Sequence, residues 1–448
     1  MKITVYGAGY VGLVTAVCLA DIGHEILCFD VDINKILGLR QGIVPIYEDG
    51  LTTVLQRNLT AARIGFTIEP EHAVTYGIIH IIAVGTPACD DGTVNLDAIY
   101  AIAKIIGQFK NSTCFVVNKS TVPPGTAAKI QQMILETAAI SRRELTMVMI
   151  SNPEFLQEGS AMQQFMYPDR ILIGVDCADD AAVMHELYQP WLINHPERLI
   201  VMSMRSAELT KYAANALLAT KISFINEISQ IAELVGADIQ EVKRGITADS
   251  RINPAFLNPG CGFGGSCFPK DLAGLQKIAT THQFNPVLIS AVIQRNAEQQ
   301  RVLVQKLRYF FDHDLDNKII AVWGLAFKPN TDDIRCASSQ VIISELLVAG
   351  AKIQAYDPLA MQAAAKYYHA DADRISFCDT ALTALAGADA LLLVTEWSEF
   401  KTISIDSMYN ALKNPVVFDG RNVFNPQTML EMGFKYFSIG RKDTLHVC

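Results

Sequence analysis

Two short segments of this 448-residue chain carry residue types that could do chemistry. The first is Phe263-Gly264-Gly265-Ser266-Cys267-Phe268-Pro269-Lys270-Asp271. Pro269 is well placed as the first residue of a helix, which sets the Cys267 sulfur beside the positive end of a helix dipole, where the thiolate is favoured. Asp271 follows four residues on, along the same helical face, and the glycines leave room for a substrate against the backbone. Most cysteines are inert, and that reading is applied to most of the other nine. The second segment is Gly7-Ala8-Gly9-Tyr10-Val11-Gly12, with Asp30 closing the strand that comes next. Its three glycines permit a tight turn, close approach to a pyrophosphate and close helix packing. Asp30 can accept hydrogen bonds from both ribose hydroxyls and repel a 2′-phosphate, so NAD is expected rather than NADP. Lys35 is a weaker candidate for the adenosine end, since a solvated helix lysine serves as well.

These residues need a scaffold, and the chain supplies a recognisable one. Strands are expected at 2–6, 25–29, 78–84, 114–118 and 147–150, alternating with helical stretches, which points to an α/β fold with a doubly wound parallel sheet. A long helical pattern without proline runs over 206–235 and ends at Gly236, before the Gly/Pro-rich segment 253–269. From residue 318 the pattern restarts with Lys318-Ile-Ile-Ala-Val-Trp323-Gly324, followed by strands near 352–356, 390–394 and 416–418. The expected architecture is two Rossmann-like doubly wound domains joined by a central helical region. They are placed at 1–200 for NAD, 201–310 for the helical bridge with the cysteine loop, and 311–448 for a second Rossmann-like domain. Two such domains joined by helices imply a cleft.

Composition excludes several function classes. A net charge of -9 with no dense Lys/Arg block argues against nucleic-acid binding. Ten cysteines without a CxxC pair or a His/Cys cluster at zinc spacing indicate neither a metal site nor a disulfide framework. Reduced thiols suit a cytoplasmic location. No apolar run reaches membrane-spanning length and no leader pattern precedes the first strand, so no membrane association is expected.

The chain resembles the UDP-glucose/GDP-mannose dehydrogenase family over essentially its whole length. The resemblance rests on Gly262 to Asp271, the glycine turn, Ser151-Asn-Pro-Glu154-Phe155-Leu156-Gln-Glu158-Gly, Glu208-Leu-Thr-Lys211-Tyr-Ala-Ala-Asn215 and Lys119-Ser-Thr121-Val-Pro-Pro-Gly125. It implies oxidation of a nucleotide-activated hexose at its primary alcohol, with NAD used twice and a thioester on Cys267. By the same resemblance Glu154 is catalytic, Glu158 contacts cofactor or substrate, Lys211 and Asn215 face the developing oxyanion, and Asp271 and Thr121 assist. Thr86, Thr121, Glu158, Lys270 and Arg335 are implied near the cofactor. Phe155, Leu156, Arg251, Phe256, Phe263, Gly264, Phe327, Lys328 and Arg421 are implied on the substrate side, with Arg251 reaching across a homodimer interface. An N-cap role for Thr121, and ordinary surface roles for the cations, compete with these assignments.

Pro168-Asp169-Arg170-Ile-Leu-Ile-Gly174 and the Gly262-Phe-Gly-Gly form of the loop look more like enzymes of UDP-glucose than of GDP-mannose. Alcohol to carboxylate is a four-electron oxidation, so two nicotinamides are consumed per sugar and a thiol that retains the aldehyde is explained. A hydroxy-acid dehydrogenase sharing the glycine turn would need neither Cys267 nor the second hydride. A non-enzymatic nucleotide-sugar binder would need none of Cys267, Glu154, Lys211 and Asn215.

Overall fold

The computed structural model describes residues 1–442. The chain divides into two compact units, one of Met1–Ala214 with Ala273–Ile278 and the other of Asn215–Leu272 with Ala279–Cys448. Two helices, Met204–Val235 and Phe268–Thr281, contribute residues to both.

The first unit is built on an eight-stranded sheet of β1 (Lys2–Tyr6), β2 (Glu25–Phe29), β3 (Ile64–Thr67), β4 (Ile79–Ile82), β5 (Cys114–Asn118), β6 (Met147–Ser151), β7 (Ile171–Gly174) and β8 (Leu199–Met202). Its order is β3-β2-β1-β4-β5-β6-β7-β8. The β1–β6 portion is parallel, and the order reverses beside β1, which places the glycine turn at the switch point. The strands read as near-continuous apolar runs because both faces are covered. One face packs Ile3, Val5 and Ile26 against Leu13, Val14 and Val17 of helix α1 (Tyr10–Asp21). The other packs Tyr6, Ile82 and Val116 against Ile102, Ile106, Ile130 and Ile134 of the helices Asp97–Phe109 and Thr126–Ile140. Each such buried aliphatic side chain contributes roughly 1.5–3 kcal/mol. The sheet is not wholly parallel, as the sequence pattern had implied: β7 runs against β6 at Ser151↔Gly174, and β8 follows β7 in parallel.

The second unit carries a six-stranded, all-parallel sheet of β9 (Ile319–Trp323), β10 (Lys352–Tyr356), β11 (Ile375–Phe377), β12 (Ala390–Leu393), β13 (Val416–Asp419) and β14 (Lys435–Ser438). The order is β11-β10-β9-β12-β13-β14, again with the reversal beside the first strand. Its core centres on Trp323, Phe418, Phe400 and Leu346. Within this unit the long helix packs Ile225 and Ala232 with Ile239 and Leu257. Gly236, with φ +75°, ends it as expected.

The two sheets open alike, and the turn glycines show why no other residue fits. A Cβ on Gly12 would lie 1.9 Å from the Gly7 carbonyl oxygen, and one on Gly324 (φ +92°) would lie 2.4 Å from Thr395 Cβ. Gly12→Ala and Gly324→Ala are each expected to lower unfolding free energy by about 1–3 kcal/mol through overpacking. Urea unfolding curves of the two variants against the parent check this.

Candidate active site

The glycine turn leads from β1 into α1. Gly7 adopts φ +101°, and a Cβ there would meet the Ala83 carbonyl oxygen at 2.7 Å. Gly9 is different, because a Cβ on it would meet nothing within 4 Å. It caps α1 without any side-chain hydrogen bond, so the first N–H groups of a twelve-residue helix are left for an external acceptor. Asp30 accepts from the N–H of Ala8 (2.7 Å) and of Asp32 (3.0 Å), and Lys35 Nζ lies 3.1 Å away. Burial alone would raise its carboxyl; these donors outweigh that and hold it below the usual range. The open turn and the ionised acid are chemically suited to a diphosphate and a ribose, the parts of NAD that need such partners. Lys35 is thus tied to Asp30 rather than extended into solvent.

A second set of side chains gathers where β5, β6 and the long helix meet in the first unit. Lys211 Nζ pairs with Glu154 Oε1 at 3.0 Å, both side chains more than nine-tenths buried. Glu154 Oε2 accepts from the N–H of Leu156 at 2.6 Å. Burial pushes Glu154 up, but Lys211, the Leu156 N–H and the neighbouring Lys119 together hold it below the usual carboxylate range. Lys211 also lies 5.2 Å from the Phe155 ring centre, with the Arg170 guanidinium 4.0 Å from the same ring. Thr86 Oγ1 donates to the Thr121 carbonyl at 2.9 Å, joining the loops after β4 and β5. Asn118 and Ser151, paired across β5 and β6, bury a side-chain oxygen each without a hydrogen-bond partner.

Two supports here escaped the sequence reading. Lys119 is buried, donates to Asn152 Oδ1 at 3.2 Å, and is drawn down to about 8 by burial first and by Lys211 second. It lies two residues before Thr121, and nothing in its type or spacing announces burial. Glu48 accepts from the N–H of Gly159 (2.8 Å) and of Met162 (3.1 Å) and from the Tyr10 hydroxyl. Tyr10 lies inside the glycine turn, and its hydroxyl also accepts from Gly159 N–H at 2.7 Å. The loop carrying Glu154 and the half-buried Glu158 is thereby tied to the glycine turn.

The cysteine loop belongs to the second unit and is held by side chains rather than strands. Asn296 donates to the Phe263 carbonyl (3.0 Å) and accepts from its N–H (2.8 Å), as a neighbouring strand would. Asn226 Oδ1 receives Gly260 N–H at 2.8 Å, and Gly265 N–H reaches the Arg335 carbonyl at 2.9 Å. A Cβ on Gly264 would strike the Cys336 carbonyl oxygen at 2.2 Å, and one on Gly265 the Phe327 ring at 2.8 Å. Phe263 and Phe256 both pack on Phe268. The helix starts at Phe268, one residue earlier than Pro269 suggested, and the Cys267 carbonyl accepts its first hydrogen bond, from Asp271 N–H. Cys267 is exposed, with Ser266 Oγ 3.6 Å from its sulfur, whereas Cys261 is fully buried and donates to the Val394 carbonyl. Burial raises the Cys261 thiol, which keeps it protonated and unreactive.

One turn into the same helix, Asp271 is 1% exposed and engaged on both oxygens, by Asn215 Nδ2 and by Lys270 Nζ, each at 2.6 Å. Lys211 and Asn215 stand one turn apart on the long helix. The remaining cations are more dispersed. Arg335 is clasped by Asp333 and Arg251 by Asp249, both at exposed positions. Lys328 Nζ lies 5.8 Å from the Phe327 ring centre. Arg421 donates to the Val394 carbonyl at 2.7 Å and pairs with Glu396 at 3.1 Å. Among the described residues no group of three or more His, Cys, Asp or Glu side chains could hold a metal.

Residues 1–192 match the NAD binding domain of the UDP-glucose/GDP-mannose dehydrogenase family, residues 205–298 its central domain, and residues 321–426 its UDP binding domain. The chain is similar to a UDP-glucose 6-dehydrogenase of Pseudomonas aeruginosa, at 43% identity over 448 residues, 100% of this chain and 99% of that one. A UDP-glucose 6-dehydrogenase of Rhizobium meliloti is 42% identical over 446 residues, 99% and 100% of the two chains. Among solved structures, a UDP-glucose dehydrogenase from the archaeon Pyrobaculum islandicum superposes with a TM-score of 0.89 at 34% identity, covering 98% of this chain and 97% of that one.

The buried ion pair generates a test. Glu154 has a lowered carboxyl, so its contribution to stability is present above the ordinary glutamate range and is lost as pH falls through its lowered value. Lys211→Met removes the partner and is expected to cost about 3–5 kcal/mol at neutral pH. Urea titrations of parent and variant should show the difference narrowing in acid.

Proposed function

The chain belongs to the UDP-glucose/GDP-mannose dehydrogenase family, and on that footing we infer that it is an NAD-dependent oxidoreductase converting UDP-glucose to UDP-glucuronate. The observation that carries the chemistry is Cys267 exposed at a helix start, while its neighbour Cys261 is sealed in the core. In this reading the thiolate of Cys267 adds to the aldehyde carbon left by the first oxidation, giving a thiohemiacetal. Loss of the second hydride turns that adduct into a thioester. Water then adds to its carbonyl, the C–S bond breaks, and the carboxylate leaves with the thiol restored. NAD, held at the glycine turn and Asp30, supplies the hydride acceptor for each oxidation.

Each other residue has an assigned task. Lys211 and Asn215 donate to the oxygen that gains negative charge at the reacting carbon. Glu154, already ionised, takes the proton of the attacking water. Asp271 fixes the Asn215 amide and Lys270, and Thr121, fastened to Thr86, lines the approach with Glu158. Phe155, Leu156, Phe256, Phe263 and Gly264 shape the sugar pocket. Lys328, Phe327 and Arg421 meet the UDP, and Arg335 with Lys270 meets the cofactor. The corresponding division is 1–200 for NAD, 201–310 for the bridge and cysteine loop, and 311–448 for the UDP-sugar.

A homodimer is part of the proposal. Leu217, Phe224 and Ile231 recur every seven residues along the long helix and are all exposed, a stripe that a second copy would cover. Arg251, also exposed, would then serve the partner's substrate. Among the described residues no helix is long and apolar enough to cross a membrane, and we place the enzyme in the cytoplasm.

Incubation with limiting UDP-glucose should yield two NADH per sugar. Cys267→Ser should abolish steady formation of the acid. One NADH per sugar, or near-normal acid production by the serine variant, overturns the mechanism.

A further inference from the structure

Lys119 has no task in the mechanism above, yet its burial is costly and its surroundings are built. A buried ammonium is seldom kept for stability alone, since an apolar side chain of similar volume packs there at no electrostatic cost. Lys119 follows β5 directly and is 5% exposed. Its Nζ donates to Asn152 Oδ1 at 3.2 Å, and the same oxygen accepts from the Tyr188 hydroxyl at 2.7 Å. The Asn152 amide nitrogen donates to the Leu172 carbonyl at 2.9 Å, and its backbone N–H to the Asn118 carbonyl at 2.8 Å. Asn152 therefore cannot turn its oxygen away. The Phe165 ring centre lies 5.7 Å from the ammonium and closes another side.

The charged groups acting on Lys119 are Glu154, which attracts it, and Lys211, which repels it; Tyr188 lies beyond Asn152. The nearby carboxylate of Glu208 is committed elsewhere, accepting from the N–H groups of Gly125 and Ala127 at the start of a helix. Lys119 is held against Asn152, two residues before Glu154, so two lysines act on one glutamate, of which Lys211 makes the direct ion pair. When Lys211 turns its protons to a substrate oxygen, Glu154 loses part of its stabilisation. It would then take up a proton and cease to be a base, unless another cation stays in place.

We propose that Lys119 is a positioning residue: a fixed second cation, locked by Asn152 and Tyr188, that keeps Glu154 ionised while Lys211 serves the substrate. This rests on the reading of Glu154 as the base for water.

The test follows the acid limb of kcat against pH for NADH formation from UDP-glucose. Glu154→Gln identifies the limb by removing it together with most of the activity. Lys119→Met, close in shape and uncharged, should move the limb to higher pH by roughly one unit, because Glu154 is protonated sooner without the cation. Lys119→Arg should bring it back toward the parent position. A folded Lys119→Met enzyme whose limb coincides with the parent's overturns the proposal, as does an arginine variant displaced as far as the methionine one. Should Lys119→Met not fold, Asn152→Asp sets a carboxylate against Lys119 and should move the limb the same way; an unmoved limb there also overturns the proposal. A Glu154→Gln enzyme that retains activity and limb refutes the base role itself, a different failure from that of Lys119.

Discussion

An ammonium and a carboxylate 3.0 Å apart inside the protein impose conditions on everything around them. Each charge has surrendered its water, and the attraction between them repays that only if the remaining donors and acceptors are also met. Around Glu154 the second oxygen is met by the Leu156 N–H, and Lys119, a neighbouring charge rather than a hydrogen-bond partner, is held by Asn152, which is anchored to β7 through the Leu172 carbonyl. That requirement gives meaning to the reversed strand. β7 and β8 add little to the switch point of the sheet, but β7 supplies the carbonyl that stops Asn152 from rotating, and so fixes one wall of the charged cluster.

The two sheets begin with the same device and put it to different uses. After β2, Asp30 accepts from Ala8 and Asp32 and stays at the rim with Lys35. After β10, Asp357 accepts from Leu325, Ala326, Leu359, Ala360 and the Trp397 indole, and is 1% exposed. Its acceptor capacity is spent inside the fold, so it has none to offer a ribose. Gly7 and Gly324, each the first residue after its strand, are alike pressed onto a neighbouring loop, while Gly9 has open space where a Cβ would stand. One architecture thus leaves an acidic side chain with two backbone donors and a lysine in one unit and an acid saturated by the fold in the other.

Much of this was legible in the residues. The strands with long apolar runs, β1, β2, β4, β5, β6, β9, β10, β12 and β13, lie where the pattern put them, because fully covered parallel strands leave a strong signal. β3, β11 and β14 are three or four residues long and sit at or next to sheet edges, and so leave almost none. The direction of β7 depends on how 152–170 folds back, which no local pattern encodes. Among site residues, Glu154 with Lys211 and Asn215 with Asp271 do meet, and they stood in motifs with recognisable spacing. Asn296, Glu48 and Lys119 act from a helix, a loop and a strand end far away in sequence. Their types are ordinary for exposed positions, and only tertiary packing turns them into supports.

The tie between Tyr10, Glu48 and Gly159 bears on how such a chain can change over generations. Residues 42–50 form an irregular connection of the kind that usually tolerates insertion and drift. Here the connection ends in a carboxylate that grips both the glycine turn and the acid-bearing loop, so a length change in it would be inherited at two separated places at once. A change of length here would therefore act on the packing of two segments that are far apart in sequence.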